Sequence, residues 1–190
     1  MKNTIKLARR PQQQGHIDGL CAIYAVLNSC KFLLGHTEEQ DEKLFRELCL
    51  AGRELFPEIV FKGAGVPDVR MFLKAAQTHV RIVDGKILQA KGISSRMKFR
   101  SVLTFFKHLR RELESARKGH RRVWIIGLNK PWDHWTVVRK VTDDEVWFYD
   151  SYGMRRFRLS SFTFDMRQAG DNKGQKIMID QHQSFLVDVS

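Results

Sequence analysis

Apolar positions along the first part of the chain recur at helical spacing. From Cys21 onward, Ile23, Val26, Leu27 and Phe32, with Leu33 and Leu34, lie three or four residues apart until Gly35, which predicts a helix ending on a glycine cap. Thr37 followed by Glu38 and Glu39 signals a second helix, whose stripe of Leu44, Leu48 and Leu55 runs to Leu55 before Pro57 stops it. Residues 61–65 read as a loop, after which Pro67 and Asp68 open a short helix carrying Val69, Phe72, Leu73 and Ala76. Residues 80–83 and 86–88 flank Asp84-Gly85 and predict a small hairpin, because Asp-Gly between apolar runs favours the primed turns. The longest helical pattern, 97–118, places Val102, Phe105, Phe106, Leu109 and Leu113 on one side and ends at Gly119.

The period then changes. Residues 123–128 are an unbroken apolar run, suited to a central strand buried on both faces. After a loop at 129–133, segments 134–141 and 145–150 read as two strands joined by a polar turn at 142–144. Further strands are expected at 154–159, 176–180 and 184–189, and residues 2–10 form a short edge strand or an arm. Helices first and a mostly antiparallel sheet afterwards is the α+β pattern, and 190 residues suffice for one packed domain spanning 1-190.

Composition narrows the picture. A hydrophobic content of 43% with 28% charged residues is that of a globular chain and excludes disorder. No apolar run approaches the roughly 18 residues that span a bilayer, and the first ten residues lack the apolar core of a signal peptide. The expectation is no membrane insertion, with a cytoplasmic location or export by a route without a classical signal peptide. The 33 basic against 21 acidic side chains give a net charge of +12, which attracts nucleic acid, acidic proteins or anionic surfaces. The excess is densest at 96–100, 107–122 and 155–158, with no accompanying nucleic-acid-binding module. Cys21, Cys30 and Cys49 are an odd number without CxxC or His/Cys ligand spacing, so neither a disulfide framework nor a metal site is expected, and no cofactor is called for.

Cys21 stands where the turn signal Asp18-Gly19 gives way to the first helix. A thiol is a nucleophile only as thiolate, and the positive partial charge of a helix N-terminus favours the anion. Cys30 lies nine positions on, about half a turn away at about 100° per residue, and belongs to packing; Cys49 lies within the second helix and belongs to the core. His134 opens a strand directly after an irregular loop. A hairpin turning near Thr142 sets it beside Asp150, and a slip of one residue would substitute Ser151 or Tyr149. A carboxylate beside an imidazole fixes its tautomer, and an imidazole beside a thiol takes its proton, so Cys21, His134 and Asp150 compose a candidate triad.

The order Cys, His, Asp, with the cysteine on an N-terminal helix and the other two on a C-terminal sheet, resembles the papain-like cysteine peptidases. Gly19-Leu20-Cys21-Ala22 with Leu27-Asn28, and His134-Trp135-Thr136-Val137-Val138-Arg139-Lys140 followed by Trp147 and Asp150-Ser151, resembles the Josephin deubiquitinases. The bacteriocin-processing (double-glycine) peptidase domains of bacterial exporters are similar in chain order. The resemblance implies a papain-like fold and hydrolysis of a peptide or isopeptide bond through a thioester acyl-enzyme. It also implies a protein or peptide substrate, acidic or ubiquitin-like, and a glutamine amide in the oxyanion hole five or six residues before the cysteine. Here His16 and Gly15 hold those positions, so Gln14, reached by a bulge through Gly15, or its rival Gln13 is the implied donor beside the Cys21 backbone N–H. Trp132 and Trp135 flank His134 as a groove wall or a cover over the triad. Acyl transfer and glutamine deamidation would use the same triad, and an inert look-alike would leave a basic binding module for nucleic acid or an acidic protein.

Overall fold

The computed structural model describes residues 10–13, 19–116, 120–172 and 174–190. The expected arm at 2–10, save Arg10, and the residues between Gln13 and Gly19 lie outside them. Five helices come in the order α1 (Cys21–Leu34), α2 (Glu38–Ala51), α3 (Phe56–Lys62), α4 (Val66–His79) and α5 (Val102–Glu114). α1 stops where Gly35 takes the left-handed conformation, φ 73°, and returns its N–H to Lys31 O. α2 begins with a capping box in which Thr37 accepts from the Gln40 N–H while the Gln40 side chain accepts from the Thr37 N–H.

Strands β1 (Leu88–Gly92), β2 (Arg122–Leu128), β3 (His134–Val141), β4 (Glu145–Phe148), β5 (Arg156–Arg158) and β7 (Ile177–Val189) pair antiparallel in the order β1-β7-β2-β3-β4-β5, and β6 (Phe162–Thr163) adds a short parallel pair to β7. The expected α+β architecture is therefore present. Side-chain alternation on β2 splits the core in two. Val123 and Ile125 join α1, α2 and α4 through Ile23, Val26, Leu44 and Phe72, whereas Trp124, Ile126 and Leu128 join α5 through Phe105, Phe106 and Leu109. The central strand is thus buried on both faces, and α1 is pressed against the sheet with its N-terminal end free to meet β3.

Four local expectations are corrected. Residues 80–84 are no strand but a π-helical turn continuing α4, and Gly85, φ 63°, caps it through its N–H to Val80 O; one left-handed glycine serves a hairpin turn and a helix end alike. α2 stops at Ala51, and Pro57 opens α3 instead of closing α2, because the first turn of a helix needs no proline N–H. The helix expected at 97–118 begins only at Val102, where Ser101 accepts from the Thr104 N–H. The strands expected at 176–180 and 184–189 are one: the polar residues between them sit at a register shift against β2, where Gln181 accepts from the Phe99 N–H.

Candidate active site

Cys21 is the first residue of α1, and the approach to it is fixed by α3. Gly19 donates to Val60 O at 3.0 Å, and a Cβ on Gly19 would stand 2.5 Å from Ile59 O and 2.9 Å from Val60 O. Only a residue without a side chain lets the chain pass so close to the end of α3 before turning into α1. The Cys21 side chain is nearly buried, with its Sγ 3.9 Å from Gly19 O.

On the sheet side, Asp133 holds a left-handed conformation, φ 49°, and its N–H returns to Asn129 O, closing the loop that delivers His134 to the start of β3. The His134 Nε2–H donates to Asp150 Oδ1 at 2.7 Å, which leaves Nδ1 for the thiol. Asp150 Oδ2 accepts from the N–H groups of Tyr152 (2.7 Å) and Met154 (3.2 Å), so the carboxylate is clamped by its own turn and its side chain is fully buried. Burial by itself would push His134 down, but hydrogen bonds with Asp150 and Cys21 and their charges push it up to about 9. Burial likewise opposes ionisation of Asp150, yet the His134 contact and the backbone donor hold its carboxyl below the usual range. The arrangement sets an imidazole, oriented by a buried carboxylate, beside a buried thiol.

The remaining expected residues divide. Cys30 is fully buried, and burial, then the charges of Asp84 and Asp41, push its thiol up to about 12. Cys49 is half-buried, which raises its pKa too. Trp135 is corrected from groove wall to core: it lies on the opposite side of β3 from His134, is 5% exposed, packs on Phe185 and donates its Nε1–H to Ala64 O at 2.7 Å. Trp132 is exposed and rests on Phe157. Gln14 lies outside the described residues. The Gln13 amide lies 3.3 Å from Pro11 O and 3.5 Å from Asp150 O, so it is turned toward backbone carbonyls.

Two features escaped the sequence reading. Tyr152, exposed, lies beside His134 with ring centroids 6.2 Å apart; its place two residues after Asp150 was the available signal. Asn28, fully buried, clamps the segment before the cysteine from both sides, accepting from the Gln12 N–H (2.7 Å) and donating to Gln12 O (3.2 Å). The Gln12 side chain then donates to Asp41 Oδ2 at 3.0 Å, on the same oxygen that pairs with the buried Lys31 ammonium. His36 Nδ1 lies 3.6 Å from the other oxygen, and its Nε2 lies 3.2 Å from Asp84. A buried ionic cluster therefore ties the Gln12 strap to α1 and α2.

No family model and no curated protein matches the sequence. Among solved structures the chain is similar to a double glycine motif protease from an AMS/PCAT transporter in complex with the leader peptide. That likeness has 13% identity and a TM-score of 0.49, covering 98% of this chain and 95% of that one. It is also similar to the Pseudomonas avirulence protein AvrPphB, at 11% identity and a TM-score of 0.40 over 97% of each chain. A helical half bearing Cys21 at a helix N-terminus, followed by an antiparallel half bearing His134 and Asp150, is the expected α+β arrangement.

Proposed function

We propose that this chain is a cysteine peptidase that hydrolyses a peptide or isopeptide bond through Cys21, His134 and Asp150. The observation that carries the reading is the convergence of three distant segments: the His134 imidazole is bonded to Asp150 through Nε2, and the thiol at the head of α1 lies close enough to join Asp150 in raising its pKa. His134 Nδ1 takes the thiol proton, and the thiolate attacks the substrate carbonyl carbon. The oxygen that becomes negative is met by the Cys21 backbone N–H, with the Gln14 amide as second donor. His134 returns the proton to the leaving amine as the C–N bond breaks, and water then cleaves the thioester and restores the thiol. Asp150 keeps Nδ1 aimed at sulfur throughout. Tyr152 and Trp132, the exposed aromatics nearest His134 in the chain, offer surface to the substrate backbone.

The test is digestion of a proteome-derived peptide library, with products identified by mass. Hydrolysis adds one water across a cleaved bond, deamidation exchanges ammonia for water without cleavage, and acyl transfer joins two chains. Cys21→Ala and His134→Ala are expected to abolish cleavage. Full cleavage by Cys21→Ala would overturn the reading.

A further inference from the structure

Outside the triad, strands β3, β4 and β5 build a surface that the proposed chemistry does not use. In register, Lys140 stands opposite Trp147, and Trp147 stands opposite Arg156, so one row crosses three strands as cation, indole, cation. A register shift between Val138 and Lys140 turns Arg139 outward as well, and both Arg139 and Lys140 are exposed. Arg156, Lys140 and Arg139 lie 5.1, 5.7 and 5.8 Å from the centre of the Trp147 ring. Arg158 adds a further cation in register with Glu145, which is the lone acid on these three strands and pairs with Arg156 at 3.4 Å. Asp143 and Asp144 lie in the turn beyond, and Asp143 is bound to Arg110. The indole Nε1–H is buried, so the donors the surface presents are those of the cations. The shelf is rich in donors and poor in acceptors.

We infer that this shelf is a docking site for an acidic polypeptide segment, and, resting on the peptidase reading above, that it holds an acidic stretch of the protein substrate near the triad. Three features choose this occupant. Cations already lie over the Trp147 ring, where a nucleobase would have to stack, and although Glu145 takes one N–H of Arg156 and Phe148 O takes the Nε–H of Arg139, the remaining guanidinium N–H groups and the Lys140 ammonium are left for carboxylates. Trp147 is three residues before Asp150, so their Cα atoms are at most about 11 Å apart, between one and two Debye lengths at physiological salt. The shelf also runs out to β5, where the strand order ends, so the outer edge of β5 pairs with no strand among the described residues.

The experiment measures binding of fluorescein-labelled poly-L-glutamate to the Cys21→Ala protein by anisotropy, with a single-stranded oligothymidylate of equal charge as competitor. Lys140→Glu/Arg156→Glu is expected to weaken poly-glutamate binding at least about tenfold, because it reverses two charges at one place. Lys98→Glu/Lys107→Glu, the same charge change at exposed positions elsewhere, is expected to weaken it less than about threefold. Should the shelf variant fail to fold, Lys140→Gln/Arg156→Gln removes the cations without adding acids and is expected to show a smaller loss of the same rank order. Equal losses at the two places would overturn the proposal, as would tighter shelf-dependent binding of the oligothymidylate, which would assign the surface to nucleic acid. Binding is read without turnover. Its failure condemns the shelf and leaves the peptidase reading standing, whereas hydrolysis that survives Cys21→Ala would do the reverse.

Discussion

Replacing Asp150 by Asn isolates what the carboxylate does for the triad. In the folded protein, burial disfavours the charged imidazole of His134, and hydrogen bonds and charges from Asp150 and Cys21 more than reverse this, taking the group from 6.5 to about 9. That displacement corresponds to about 3 kcal/mol in favour of the imidazolium. Because the folded value exceeds the unfolded one, the corresponding stability is complete below pH 6.5 and is lost as the pH rises through about 9. Asp150→Asn keeps the shape and the burial but removes the charge, so the His134 midpoint is expected to fall by roughly one to two pH units. The same variant should flatten the decline of unfolding free energy between neutral and alkaline pH. Imidazole chemical shifts followed by NMR from pH 5 to 10 give the midpoint, and urea unfolding at several pH values gives the free energy. A wild-type His134 midpoint near 6.5, or a midpoint unmoved in Asp150→Asn, would refute the reasoning.

Three further substitutions probe the supports of the site. Gly19→Ala drives a methyl group into the carbonyls of Ile59 and Val60, and should cost about 1–3 kcal/mol, measured by thermal unfolding, with loss of hydrolysis at temperatures where the protein is still folded. Asn28→Ala removes both bonds to the Gln12 backbone, so amide exchange at Gln12 should accelerate at least about tenfold while the amides of α5 keep their rates. Asp41→Asn leaves the buried Lys31 ammonium without its counter-charge and should destabilise by about 3–5 kcal/mol in urea unfolding; Asp41→Glu should recover part of the loss.

The cysteine end of the site was legible because its signals are local: a turn residue pair, a glycine and an apolar run of helical period meet at Cys21. The pairing of His134 with Asp150 was legible as neighbourhood but not as geometry. The ladder aligns Val138 with Phe148, so a straight continuation would have carried His134 past Asp150 toward Tyr152. β4 instead stops at Phe148, and the N–H groups of Tyr152 and Met154 fold the Asp150 carboxylate back toward the imidazole. The misread hairpin at Asp84-Gly85 shows the limit of turn signals, since a left-handed glycine is needed in both settings and only packing of Val80 decides between them. Trp135 was misplaced because aromatic neighbours of a histidine look alike in sequence, while strand alternation sends adjacent residues to opposite faces. Asn28 and Gln12, 16 residues apart, form a contact that no local pattern announces.

Among the described residues β7 is the last strand in the chain, yet it lies in the interior of the sheet between β1 and β2. During synthesis, Cys21, His134 and Asp150 all leave the ribosome before Ile177, the first residue of that strand. Until residues 177–189 emerge, β1 has no neighbour, β2 has one bare edge, and helices α1 and α4 lack Phe185 and Val187 to pack on. The sheet and the core beneath α1 are therefore completed by β7, although Cys21, His134 and Asp150 lie on segments that precede it. The strand made last is thus the one that joins the first strand of the sheet to the rest.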